Sequence, residues 1–149
     1  MPLPPDIVSQ VRALPKVELH RHLEGCITAE IMLEVAREHR IKLPSLDLEE
    51  LRSMIRIQTP VPLSVFLDKF RLLDGVFPSL EAIDRISYLV CRDCARDNIR
   101  YVELRFSPSF MTLENRQSWR ELIQHVLRGT LRAEKEFDIE TGLIVGVSR

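Results

Sequence analysis

At 149 residues, with 45% hydrophobic and 29% charged side chains, the chain is long enough to bury one ordinary globular core. A formal net charge of -1 leaves no electrostatic case for a nucleic-acid or membrane partner, and the lysines and arginines are scattered along helical faces as solvated charge. No apolar run approaches the ~18 residues of a membrane span. Met1 to Asp6 has three prolines and no basic or apolar leader region, and Cys26, Cys91 and Cys94 are an odd set without disulfide-framework spacing, so the expected compartment is the cytoplasm.

The lead-in 2–15 is punctuated by proline, with one short helix expected over 6–13. Val17 to Leu23 alternates apolar and polar residues at period two, a strand signal, and Gly25 closes it. Thr28 caps a helix with Ile31, Val35 and His39 on one stripe, ending before Pro44. Asp47 and Glu50 form a capping box for a short helix through Ile55. Pro60 and Pro62 break the chain. Ser64 then starts a helix with Phe66, Leu67, Phe70 and Leu73 on one side. Ser79 caps a longer helix, in which Ile83, Ile86, Val90 and Cys94 keep helical spacing to about Asn98. Residues 99–106 return to strand character and stop at Pro108. Ser118 and Glu121 make a second capping box, before a helix to Phe137 with Leu122, Ile123, Val126, Leu127 and Ala133 toward the core. Residues 142–147 read as a last strand.

Strands separated by helices imply parallel pairing through right-handed crossovers. One helix suffices between the second and third strands. The stretch between the first two is too long for a single crossover, so a helical insertion is expected at about 26–98. There is no internal repeat and no low-complexity segment. The expected class is α/β, with residues 1–149 forming a single partial domain.

The most informative feature is His20-Arg21-His22 at the end of the first strand. Residues two apart on a strand share a face, so both imidazoles converge, and such a pair can hold a transition metal, zinc among them. Carboxyl ends of parallel strands are also where active sites gather. The bland reading is a pair of surface or core histidines.

The run Leu14 to Gly25, reading L-P-K-V-E-L-H-R-H-L-E-G, resembles the opening signature of the adenosine deaminase family, K-x-E-L-H-x-H-L-[DE]-G at the first strand of a TIM-type (β/α)8 barrel. Residues 63–70 look like that family's helical lid over the purine pocket. Tyr101 to Pro108 resembles its second strand, Y-x-E-x-R-x-S-P. The resemblance implies that His20 and His22 are zinc ligands, with His22 also close to the bound nucleoside. It places Glu24 where the family has an acidic residue that accepts a hydrogen bond from the ribose; the alternative is a solvated turn carboxylate. Phe66 packs on the purine or fills a helix contact, and for Phe70 core packing ranks first. Glu103 and Arg105 read as a structural ion pair or support for the metal site. His39 and His125 read as surface or interface residues.

The implied activity is hydrolytic deamination of adenosine or a related adenine compound to the hypoxanthine product and ammonia, a reaction of purine metabolism. The small-molecule partner is a purine nucleoside or base. The family's proton-transferring Glu, third His and Asp come from later strands, and this sequence has no H-A-E run and no histidine after His125. Three strands cannot close an eight-stranded barrel of roughly 250 residues. The expectation is therefore an N-terminal part without catalytic residues of its own, inactive alone, binding zinc weakly and prone to self-association of its open barrel edges. A non-catalytic binding piece is the alternative. A cytidine-type zinc deaminase is a weaker rival: His22-Leu23-Glu24 is formally H-x-E and Cys91-Arg92-Asp93-Cys94 is C-x-x-C, but Val90 replaces the proline and both cysteines fall inside a predicted helix.

Overall fold

The structure, a computed structural model, describes residues 4–70, 75–77, 79–111 and 118–147. In chain order the elements are α1 (Pro5–Ala13), β1 (Lys16–His22), a 3-10 turn (Glu24–Cys26), α2 (Ala29–His39), α3 (Leu48–Ile55), α4 (Leu63–Phe70), α5 (Leu80–Arg96), β2 (Ile99–Phe106), α6 (Pro108–Met111), α7 (Trp119–Glu136) and β3 (Glu140–Val145). The strands form one parallel sheet in the order β1-β2-β3.

Local chemistry sets most helix starts. The hydroxyls of Thr28 and Ser79 accept from the amides of Ile31 and Ala82, at 3.3 and 3.2 Å, so each satisfies one orphan donor of the first turn. Asp47 accepts from the Glu50 amide at 2.8 Å. The return half of that capping box runs through a third residue: Ser45 donates its hydroxyl to Glu50 at 2.6 Å and accepts the Asp47 amide at 3.0 Å. Ser118 differs from expectation. It is extended at the N-cap of α7 but its hydroxyl makes no cap bond; burial of Leu122, Val126 and Ala133 holds that helix instead.

Among the described residues, the buried helical layer lies on one side of the sheet. From β2, Val102, Leu104 and Phe106 point into that layer and are fully buried, against Ile83, Ile86 and Leu89 of α5 and Leu122 and Val126 of α7. Each such side chain stabilises the fold by about 1.5–3 kcal/mol. Leu127, expected toward the core, is 43% exposed, because α7 turns its opposite flank to solvent. Helices α5 and α7 run closely together at Gly129, where an added Cβ would meet the Asp84 carbonyl oxygen at 2.2 Å. Their interface also buries the Asp84 carboxylate, which Arg128 and Arg132 both pair. A buried charge held by two partners is tolerated where an isolated one is not. The other side of the sheet carries Tyr101, Glu103 and Arg105 of β2, half-buried, and Val17 and Leu19 of β1, which are 64% and 59% exposed.

Candidate functional site

The carboxyl ends of β1 and β2 meet at a cleft of about 720 Å³. Backbone bonds fix the strand ends in place: the Leu23 amide donates to the Arg105 carbonyl at 2.8 Å, tying β1 to β2, and the Gly146 amide after β3 donates to the Phe106 carbonyl at 2.7 Å, tying β3 to β2. All four residues expected to bind metal or substrate, His20, His22, Glu24 and Phe66, line this cleft.

The rings of His20 and His22 lie with centroids 5.5 Å apart and planes inclined at 37°. Two imidazoles bound to one tetrahedral ion at about 2.0–2.1 Å have centroids roughly 5 Å apart, so the spacing suits a shared ion. Both side chains are exposed at the cleft. Among the described residues, no third His, Cys, Asp or Glu joins them within metal-holding reach.

Glu24 is not a solvated turn carboxylate. It is only 6% exposed, and Oε1 accepts a 2.8 Å hydrogen bond from the Ser107 amide at the end of β2. Burial pushes its carboxyl above the ordinary range, against the opposing pull of that amide and of nearby His22. Phe66, on α4, is 41% exposed and reaches the cleft from the helical excursion between β1 and β2. The side chain of Phe70 and the position of Leu73 lie outside the described residues.

Sequence reasoning missed Arg21, Cys26, Ser107 and Phe110, which also line the cleft. The signal for Ser107 was present, since Ser-Pro follows the last strand residue directly. Glu103 and Arg105 share a face, as expected two apart on a strand, but Glu103 accepts from the Tyr101 hydroxyl at 3.2 Å instead of pairing with Arg105. His39 and His125 sit on α2 and α7 and do not line the cleft; the His125 ring lies 3.0 Å from an Arg128 nitrogen.

The C-x-x-C pair is structural. Cys91 and Cys94 lie well inside α5, packed in the core. Metal binding needs thiolates, and burial acts against them: it pushes the Cys91 thiol up strongly and the Cys94 thiol up to about 11. The sign of the linkage is definite. Unfolded thiols lose their protons near pH 8.5, while folded Cys94 keeps its own to about 11. Its contribution is thus intact below pH 8.5 and lost as pH rises toward 11, about 3 kcal/mol in all. Urea denaturation at pH 7 and pH 10.5 should show a shallower alkaline loss for Cys94→Val than for the native chain; equal losses would contradict the burial.

A parallel sheet backed by helices, with its chemistry-bearing side chains gathered at the strand carboxyl ends, is the layout of part of a TIM-type barrel. The family model described as adenosine deaminase matches residues 15–149, and the chain belongs to the adenosine deaminase family. An adenosine deaminase of Clostridium botulinum is 36% identical over 139 residues, which are 93% of this chain and 41% of that protein. One from Shewanella woodyi is 34% identical, over 93% and 42%. The chain thus spans about two fifths of the length of the curated relatives it matches. Among solved structures, an amidohydrolase from Burkholderia ambifaria with bound Zn superposes with a TM-score of 0.78 at 24% identity, covering 97% of this chain and 39% of that one. Arabidopsis ADAL complexed with GMP does so with a TM-score of 0.70 at 27% identity, over 95% and 43%.

Proposed function

We propose that this chain supplies metal- and substrate-binding residues of a zinc-dependent hydrolytic deaminase, acting on adenosine or a related adenine compound to give the hypoxanthine product and ammonia. One observation carries the reading: the rings of His20 and His22 face one cleft 5.5 Å apart, beside buried Glu24, within the stretch matched to the family. The Zn of the Burkholderia amidohydrolase and the GMP of Arabidopsis ADAL support the ion and a purine ligand.

In this reading His20 and His22 hold the ion, and zinc when bound makes a water nucleophilic near neutral pH. Water adds at C6 of the purine and ammonia leaves. His22 and Glu24 contact the substrate. The Ser107 amide fixes the Glu24 carboxylate in place, so it can accept a hydrogen bond from a sugar hydroxyl or ring N–H without paying to be ordered at that moment. Phe66 offers a ring face on which a purine stacks. Proton transfer is assigned to residues outside these 149. The reading places the protein in the cytoplasm, as its three free thiols support; no helix among the described residues is long and apolar enough to cross a membrane.

Calorimetric titration of the zinc-loaded chain with adenosine, adenine, AMP and cytidine tests the substrate class. An adenine compound should bind, and Glu24→Ala or Phe66→Ala should weaken it by about tenfold, the loss of one hydrogen bond to a charged group or one stacking contact. Preference for cytidine, or no purine binding, would overturn the substrate class, and ammonia release by the chain alone would overturn the placement of proton transfer elsewhere.

A further inference from the structure

The imidazole pair faces the cleft only because β1 is irregular. The register pairs Glu18 with Val102 and Arg21 with Leu104, so β1 takes three steps where β2 takes two, and Leu19 and His20 both stand opposite Glu103. Partners in a parallel ladder project to the same side of the sheet. Glu18 and Arg21 therefore share the helix-covered side with Val102 and Leu104, whereas Leu19, His20 and His22 share the open side with Glu103 and Arg105. Strict period-two alternation from Glu18 would have turned both histidines into the helical layer, since a slip of one residue moves every later side chain to the other face. The extra residue is a β-bulge, which interrupts the ladder and leaves backbone groups in need of partners.

One side chain meets that need at the bulge, and a second ties the end of the strand beyond it. The Glu18 carboxylate accepts from the His20 amide at 3.3 Å. The Cys26 thiol donates to the His22 carbonyl at 3.0 Å, bridging the 3-10 turn back to the strand end. Arg21 Nε donates to Cys26 Sγ at 3.0 Å, and its charge favours the Glu18 carboxylate. Each histidine of the pair thus has one backbone group tied by a neighbouring side chain.

We infer that Glu18 at the β1 bulge and Cys26 at the strand end, the latter held by Arg21, are positioning residues that keep His20 and His22 on the cleft side for the ion. The inference rests on the metal reading above, but the ties themselves exist without an ion. Its test uses the 149-residue chain with Glu18→Ala, Glu18→Gln, Cys26→Ala and Cys26→Ser. Two quantities are read: Zn2+ affinity by calorimetry, and, without metal, His20 amide exchange with the NMR cross-peak between the two rings.

Both alanine variants should bind Zn2+ about tenfold more weakly, the usual cost of removing support behind a metal ligand. In them the His20–His22 cross-peak should fade, and in Glu18→Ala the His20 amide should exchange about tenfold faster. Gln and Ser keep an acceptor and a donor in place, so they should restore these values to within about twofold, which a general packing role would not produce. Unchanged affinity and ring contact in the alanine variants would overturn the inference, as would equal losses in the alanine and conservative variants. If the native chain binds no Zn2+ while the alanine variants still lose the ring contact, the metal reading fails and the positioning role stands. Should an alanine variant not fold, Arg21→Met keeps the stem packing and removes the donor to Cys26 Sγ; an undiminished cross-peak there would overturn the inference.

Discussion

Alanine in place of either His20 or His22 should lower the Zn2+ affinity of the chain by more than about tenfold, with little change in its stability. The first half follows from donor count. Two imidazoles face the cleft, and no further His, Cys, Asp or Glu among the described residues joins them, so one substitution leaves a lone imidazole. The second half follows from exposure: neither ring is part of the core, and surface changes of this kind usually stay within about 0.5 kcal/mol. His39→Ala and His125→Ala are the matched controls, since both lie away from the cleft. Calorimetric Zn2+ titration beside urea denaturation separates the two effects. If a control loses as much affinity as His20→Ala, the ion belongs elsewhere. His22→Ala should further weaken adenine-compound binding, because that side chain is assigned to both ion and substrate.

Gly129→Ala should cost about 2–3 kcal/mol, against the normal rule for helices. Alanine is the better helix former by about 1 kcal/mol, but here the new Cβ would stand 2.2 Å from the Asp84 carbonyl oxygen and 2.9 Å from the Ser87 Cβ. A backbone carbonyl inside a helix cannot swing away as a flexible side chain would. Helices α5 and α7 must therefore separate, loosening Ile83 and Val126 and the pairing of Asp84 with Arg128 and Arg132. Overpacking of this kind costs about 1–3 kcal/mol, and a backbone obstacle belongs at the upper end. Gly75→Ala is the control, because nothing lies within 4 Å of its added Cβ. Equal urea midpoints for the two variants would refute the close approach.

What the sequence made legible was what local chemistry and period decide. Thr28, Asp47 and Ser79 cap the helices they precede, and Ile83, Ile86 and Val90 face the core at helical spacing. The strand-end position of the histidines and the parallel order of the three strands were also readable. Long-range pairing hid the rest. The bulge at Leu19 and His20 is a relation between β1 and β2, invisible along β1 alone, where the apolar and polar alternation suggests one unbroken period. The resemblance marks Glu24 as substrate-binding, but the solvated-turn alternative stays open along the sequence until the Ser107 amide, far along the chain, supplies its partner. Leu127 continues the apolar spacing of α7, and only the position of the sheet shows that its stripe points outward. The short helix Pro108–Met111 reads along the sequence as a plain stop, because proline ends a strand and also suits a helix's first turn.

The long excursion between β1 and β2 has a consequence for how such a protein can diversify. Glu24 and Ser107, joined across the strand ends, are 83 residues apart, whereas Arg100 and Asp138, flanking the β2 to β3 connection, are 38 apart. Closure entropy grows only with the logarithm of length, so the longer path costs roughly 0.7 kcal/mol more than the shorter. Burying a single leucine or isoleucine offsets that difference. The segment that brings Phe66 to the cleft can therefore lengthen, shorten or change its apolar residues with little penalty to the sheet. Ligand preference can drift in α3 and α4 while the strand ends that hold His20, His22 and Glu24 stay as they are.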